Sequence, residues 1–112
     1  MTTLRNSVQL IGRLGVDPKT VEFDSGKMKT TFSMATSDFY NDKEGKRVEE
    51  TQWHNVVAWG GIAKVAADYL AKGKEIALSG KLTNRSYEDK DGVKRYITEI
   101  VANEIVMLEK KN

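Results

Sequence analysis

The chain predicts an all-β fold: a five-stranded Greek-key barrel with one short helix between the third and fourth strands. Three observations predict it. Long segments alternate apolar and polar residues with a period of two, the signature of strands. Nine glycines and a single proline punctuate those segments. In one place only does the period change to that of a helix. The 112 residues are enough for one hydrophobic core and too few for two, so residues 1–112 read as one domain.

The first strand is expected from about Leu4 to Leu14, where Val8, Leu10 and Leu14 alternate with Gln9 and Arg13 while Ile11 breaks the pattern. Gly15-Val16-Asp17-Pro18 reads as a turn. A short extended piece, Val21 to Phe23, then leads into Asp24-Ser25-Gly26. The second strand is expected over Lys29–Ser37, and the polar run Asn41–Glu50 around Gly45 as a loop or hairpin tip. The third strand, about Thr51–Trp59, carries an unbroken Val56-Val57-Ala58 run that implies burial on both faces. Beyond Gly60-Gly61, the residues Ile62, Val65, Ala66, Tyr69 and Leu70 fall on one helical stripe, with Gly73 where a C-terminal glycine is expected. The fourth strand, Glu75–Tyr87, places Ile76, Leu78 and Leu82 on one face and Lys81, Thr83, Arg85 and Tyr87 on the other. Gly80 in its middle implies a bend or a close backbone approach. An Asp91-Gly92 turn precedes the fifth strand, Lys94–Val101, which continues irregularly to Leu108. Three strands, one helix and two strands, in that order, match the OB-fold.

The composition is poor in catalytic groups. There is no cysteine and one histidine, which excludes a disulfide framework and nearly every zinc site, and no cofactor is implied. No Gly-x-Ser-x-Gly elbow or P-loop is present. The acidic pairs Glu49-Glu50 and Asp89-Asp91 read as solvated loop charge, and His54 as a structural or interface residue. The chain is therefore not expected to be an enzyme. No apolar run is long enough to span a membrane, and no signal segment opens the chain, so a cytoplasmic protein is expected. Eighteen basic against sixteen acidic residues leave a net charge of only +2, so any polyanion must be held by the placement of charge.

The aromatic residues are more informative. Trp53, Asn55, Val57 and Trp59 share a strand face, with the two indoles about 20 Å apart at about 3.3 Å per residue. Tyr40 ends the second strand beside a basic loop, and Tyr87 lies at the tip of the fourth, on the face of Lys81 and Arg85. Rings interleaved with cations suit single-stranded nucleic acid, DNA or RNA. Every base has a face to stack, at about 1–3 kcal/mol each, while cations follow the phosphates. The single helix has no basic recognition face for a duplex.

The pieces Val8-Gln9-Leu10-Ile11-Gly12-Arg13-Leu14-Gly15-Val16-Asp17-Pro18, Ala35-Thr36-Ser37, Thr51-Gln52-Trp53-His54-Asn55-Val56-Val57, Tyr69-Leu70-Ala71-Lys72-Gly73 and Gly80-Lys81-Leu82 carry a resemblance. They resemble the bacterial single-stranded DNA-binding proteins, SSB, over about Ser7–Leu108. The resemblance implies a homotetramer that wraps single-stranded DNA in replication, recombination and repair in the cytoplasm, at the nucleoid. It assigns base stacking to Tyr40, Trp53, Trp59 and Tyr87, phosphate contacts to Lys43, Lys72 and Arg85, and the subunit interface to His54. Arg13 is added as a nucleic-acid contact from its place on the strand. Asn55, Gly61, Thr83 and Ser86 are neutral where some family members are basic, which implies a weaker electrostatic part. The chain ends at Glu109-Lys110-Lys111-Asn112, without the family's flexible linker and acidic tip. A tailless form is thus expected, without tail-dependent replication partners. The competing expectation is an OB-fold interaction subunit of a replication-restart primosome.

Overall fold

The computed structural model describes residues 4–108. The chain end on which the tailless reading rests, Glu109–Asn112, lies outside the described residues. A 3-10 turn, Leu4–Asn6, precedes β1 (Val8–Leu14), β2 (Lys19–Glu22), β3 (Met28–Asn41), β4 (Arg47–Trp59), α1 (Gly60–Tyr69), β5 (Glu75–Glu88) and β6 (Lys94–Met107). The sheet order is β1-β5-β6-β4-β3-β2, and β1 also pairs with β3 at Arg13↔Ala35 and Leu14↔Met34. That last contact closes β1, β5, β6, β4 and β3 into a barrel, with β2 as a short flank on β3. All pairings are antiparallel except β4–β6, which is parallel over Asn55↔Glu99 to Val57↔Val101. This is the OB-fold.

The core lies inside the barrel and beneath the helix. Leu14, Phe32, Met34, Val56, Ala58, Ile76, Leu78, Ile100 and Ala102 come from the strands, and Ala63, Ala66 and Leu70 from the helix and its end. The Val56-Val57-Ala58 run is buried as expected, because Val57 sits on the outer face between its neighbours Thr31 and Val101. The helical stripe differs from the expectation. Ala63, Ala66 and Leu70 face inward, whereas Val65 and Tyr69 are exposed. Alanines let the helix approach β3 closely, and the buried Thr30 hydroxyl donates to the Ala63 carbonyl at 2.8 Å. The helix ends at Tyr69, and Gly73 serves the following turn at φ +89°, its N–H donating to the Leu14 carbonyl at 2.8 Å.

Two hairpins run out of the barrel. The stretch Asn41–Glu50, expected as a loop or hairpin tip, is the tip of the β3–β4 hairpin: the two strands stay paired as far as Asn41↔Arg47, and residues 42–46 make the turn. Its residues are polar because a two-stranded ribbon leaves both faces in water. The β5–β6 ribbon likewise extends to Glu88↔Lys94. Leu82, expected to share the buried face of Ile76 and Leu78, is exposed because it lies past the end of β1, on that ribbon. The ribbons explain a radius of gyration of 16.1 Å, against about 13 Å for a compact chain of this length. At the β5–β6 turn the Asp89 carboxylate accepts from the Asp91 and Val93 N–H groups and from Arg95 Nε. The Arg95 hydrogen bond, first, and the Val93 N–H hold its pKa below the ordinary aspartate value. The first strand begins at Val8 rather than Leu4, the segment before it being tied off by Asn6, whose side chain exchanges two hydrogen bonds with the backbone of Leu82.

Gly80 stands where the β5–β6 register shifts, and a Cβ there would run into the carbonyl oxygen of Val101. Backbone cannot yield as a side-chain tip can. Gly80→Ala is expected to destabilise the fold by about 1–3 kcal/mol, read as a lower urea midpoint. An unchanged midpoint would mean that the strands part at this point without cost.

Candidate nucleic-acid interface

Strand parity sorts the candidate residues. On β4 the even residues Val56 and Ala58 point into the barrel, so Trp53, Asn55, Val57 and Trp59 look outward. The pairings extend this outer face across four strands, through rows such as Ser33–Asn55–Glu99–Thr83 and Thr31–Val57–Val101–Lys81. A groove of about 430 Å³ follows it, lined among others by Lys19, Lys29, Asn55, Arg85 and Glu99. β3, β5 and the β2 flank thus deliver cations to one trough on the face that bears the exposed indoles.

All four predicted rings are accessible: Tyr40 is 51%, Trp53 63%, Trp59 44% and Tyr87 47% exposed. None belongs to the core. Trp53 lies over Gly15, where a Cβ would come within 2.8 Å of the indole Cη2, so the bare glycine backbone leaves room for the ring. Trp59 carries the Lys29 ammonium 5.5 Å from its ring centroid. Tyr87 lies on the β5–β6 ribbon, two residues beyond Arg85. Tyr40 lies apart, since the continuous β3–β4 register gives it the parity of the inward residues Phe32 and Met34. The aromatic on the Trp53 side of that ribbon is Phe39, 53% exposed, with the Arg47 guanidinium 4.1 Å from its centroid.

The predicted cations differ in how they are held. Lys43 is exposed in the turn between β3 and β4, and Lys72 is exposed in the turn after α1, where its backbone N–H donates to Asp17 Oδ1 at 2.8 Å. Arg13 donates to the Gly73 carbonyl at 2.8 Å, which ties β1 to the same turn. Arg85 is engaged by both oxygens of the nearly buried Glu99, at 2.8 and 3.3 Å. That hydrogen-bonded carboxylate raises the arginine pKa further. His54 faces the partly buried side of β4, its Nε2 3.0 Å from Thr36 Oγ1. Phe39, Lys19, Lys29 and Glu99 were not singled out from the sequence. Counting back from Trp53 by twos across the hairpin selects Phe39, but only once the register is known.

Residues 5–108 match the single-strand binding protein family. The chain belongs to that family. A single-stranded DNA-binding protein of Neisseria meningitidis is 45% identical over 107 residues, 96% of this chain and 62% of the relative. Single-stranded DNA-binding protein 1 of Xylella fastidiosa is 46% identical over 95% of this chain and 79% of its own. The chain thus spans less than two thirds of the Neisseria relative. Among solved structures, Plasmodium falciparum SSB in complex with ssDNA superposes with a TM-score of 0.86 at 29% identity, over 97% of this chain and 98% of that one. The single-stranded DNA binding protein of Thermus aquaticus, as a deletion mutant, gives 0.80 at 32% identity, over 93% of this chain and 50% of that one. Among the described residues, no helix is long and apolar enough to cross a membrane.

In this family member the Gly15–Trp53 contact is separable from the fold, because the atoms in the way are the far edge of a surface ring. Gly15→Ala is expected to displace the indole while changing stability by less than about 1 kcal/mol. In a Trp59→Phe background the emission reports Trp53 alone. A spectrum and quencher accessibility unchanged by Gly15→Ala would show that the ring does not rest there.

Proposed function

We propose that this chain binds single-stranded DNA without regard to sequence and protects it during replication, recombination and repair. The observation that carries this reading is that three exposed rings, Trp53, Trp59 and Tyr87, share the outer barrel face with a cation-lined groove. Trp53, Trp59 and Tyr87 stack bases on the groove side, and Tyr40 receives the strand on the reverse of the β3–β4 ribbon. Lys43, Lys72, Arg85 and Arg13 hold phosphates, joined by Lys19 and Lys29 of the groove. Glu99 tempers this, since a phosphate at Arg85 competes with a carboxylate already in place. Stacking therefore carries most of the affinity, which suits a net charge of +2.

The chain acts as a binder rather than a catalyst. Its one imidazole bonds a threonine hydroxyl, and the most buried carboxylate among the described residues, Glu99, neutralises an arginine. As a cytoplasmic protein it would meet exposed single strands at the nucleoid. Binding is tested by titrating oligo-dT at two salt concentrations. Trp53→Ala with Trp59→Ala is expected to cost about 2–6 kcal/mol of binding free energy, and wild-type tryptophan emission to fall as DNA is added. The logarithm of affinity falls against that of salt with a slope of about −0.7 per phosphate neutralised. Unchanged oligo-dT affinity in the double variant would remove both indoles from the mechanism.

The reading includes a homotetramer. The outer face of β1, β5 and β6 carries an apolar patch at one end, where Ile11, 62% exposed, stands beside Ala77 and Val106 at a hollow of about 460 Å³ that Gln9, Ser79 and Glu104 also line. Along β1, residues 8–12 pair with β5 on one side only. An open edge beside an apolar patch suits self-association, and it gives a reason for Ile11, the residue that breaks the alternation. His54 takes the interface role in this reading. Ile11→Lys is expected to lower the mass seen by light scattering while the monomer stays folded. An unaltered mass would place the interface elsewhere.

A further inference from the structure

The β2–β3 hairpin carries a ring for which the fold has no evident use. Phe23 heads that hairpin, its N–H donating to the Lys27 carbonyl and its own carbonyl accepting from Gly26, both at 2.8 Å. Its ring is 43% exposed and lies outside the core. It stacks on Trp59, with centroids 6.2 Å apart and planes at 22°. That is an offset-stacked pair within the usual range of about 4.5–7 Å. Two large rings left side by side in water are apolar surface the core never recovers, and Trp59 of the pair borders a cavity. A hollow of about 650 Å³ opens along Trp59, lined by Gly26, Lys27, Met28, Gly60, Gly61 and Lys64. Its charged lining residues are both lysines. Lys64 is held by Asp68 at 3.3 Å in an exposed pair, a contact of the kind that contributes little and yields to a stronger anion. Lys29 stands over the indole from the same hairpin.

We infer that Phe23 and Trp59 form one two-ring seat for an unpaired base, with the adjoining phosphate in the Lys27–Lys64 hollow. The β2–β3 hairpin is then part of the DNA path rather than a flank of the barrel. Lys27 and Lys64 supply charge beside a helix start where Gly61 is neutral. The inference rests on the reading that Trp59 stacks bases. It adds a ring and two cations to that position.

The test titrates labelled oligo-dT into the whole chain as wild type, Phe23→Leu, Phe23→Tyr, Trp59→Ala and the Phe23→Leu/Trp59→Ala double variant, with thermal melts alongside. Phe23→Leu keeps apolar bulk and loses the ring, so affinity is expected to fall about fivefold or more. Phe23→Tyr is expected to bind as wild type. In the double variant the loss is expected to be smaller than the product of the single losses, because one seat is being removed twice. Lys27→Ala is expected to make the salt slope shallower by about 0.7. Wild-type affinity in Phe23→Leu, with Trp59→Ala weakened, overturns the two-ring seat and leaves Trp59 acting alone. Independent, multiplying losses also overturn it, since the rings then serve separate bases. If Trp59→Ala binds as wild type, the underlying assignment of Trp59 fails, and if the wild type ignores oligo-dT the function itself fails. Each result is distinct from the others.

Discussion

The architecture depends on one close backbone approach. β1 crosses β3 at Arg13↔Ala35 and Leu14↔Met34, and this short contact turns an open sheet into a barrel. Gly12 makes it possible, because a Cβ there would collide with the Ala35 carbonyl oxygen. Once the ring is closed, Val56 and Ala58 of β4 fill the interior, and Trp53, Asn55 and Trp59 are left on the outside. Trp53 and Trp59 are exposed as a consequence of closure, and no local preference of tryptophan for water is involved. Strands longer than the barrel is tall have nowhere to go but outward, which is why β3–β4 and β5–β6 leave as ribbons carrying Tyr40 and Tyr87.

The electrostatics follow the same geometry. Many exposed cations have an acidic or aromatic neighbour: Arg85 with Glu99, Arg95 with Asp89, Lys64 with Asp68, Arg47 over Phe39, Lys29 over Trp59, Lys94 over Tyr96. Such a surface does not project a strong field. It offers rings already flanked by cations and preorganised arginines, and it favours short-range stacking over long-range attraction. A polyanion held this way would be gripped base by base, with salt modulating rather than abolishing the grip.

The glycines show how far local reading extends. Gly80 in a strand implied a bend or a close approach, and the structure contains both, as a register shift and a carbonyl in the way. The continuous Val56-Val57-Ala58 run correctly implied two buried faces. The helix was legible, but its buried stripe was not. Val65 and Tyr69 are more apolar than Ala63, yet the helix lies on its alanine side because a small side chain lets it approach Thr30. The run Asn41–Glu50 allowed a loop or a hairpin tip and is a tip, but how far β3 and β4 extend into it was not legible, since a strand with both faces in water loses the alternation by which strands are recognised.

Period, punctuation and composition by themselves determined the strand count of the barrel, the place of the helix and the four candidate rings, because these depend on residues near one another in the chain. The tertiary structure alone decided that β4 runs parallel beside β6, that Glu99 meets Arg85, that Tyr40 and Phe39 fall on opposite sides of one ribbon, and that Phe23 reaches Trp59. Alternation shows that a strand has two faces. Which face looks outward, and what lies across from it, is set by strand pairing between distant segments.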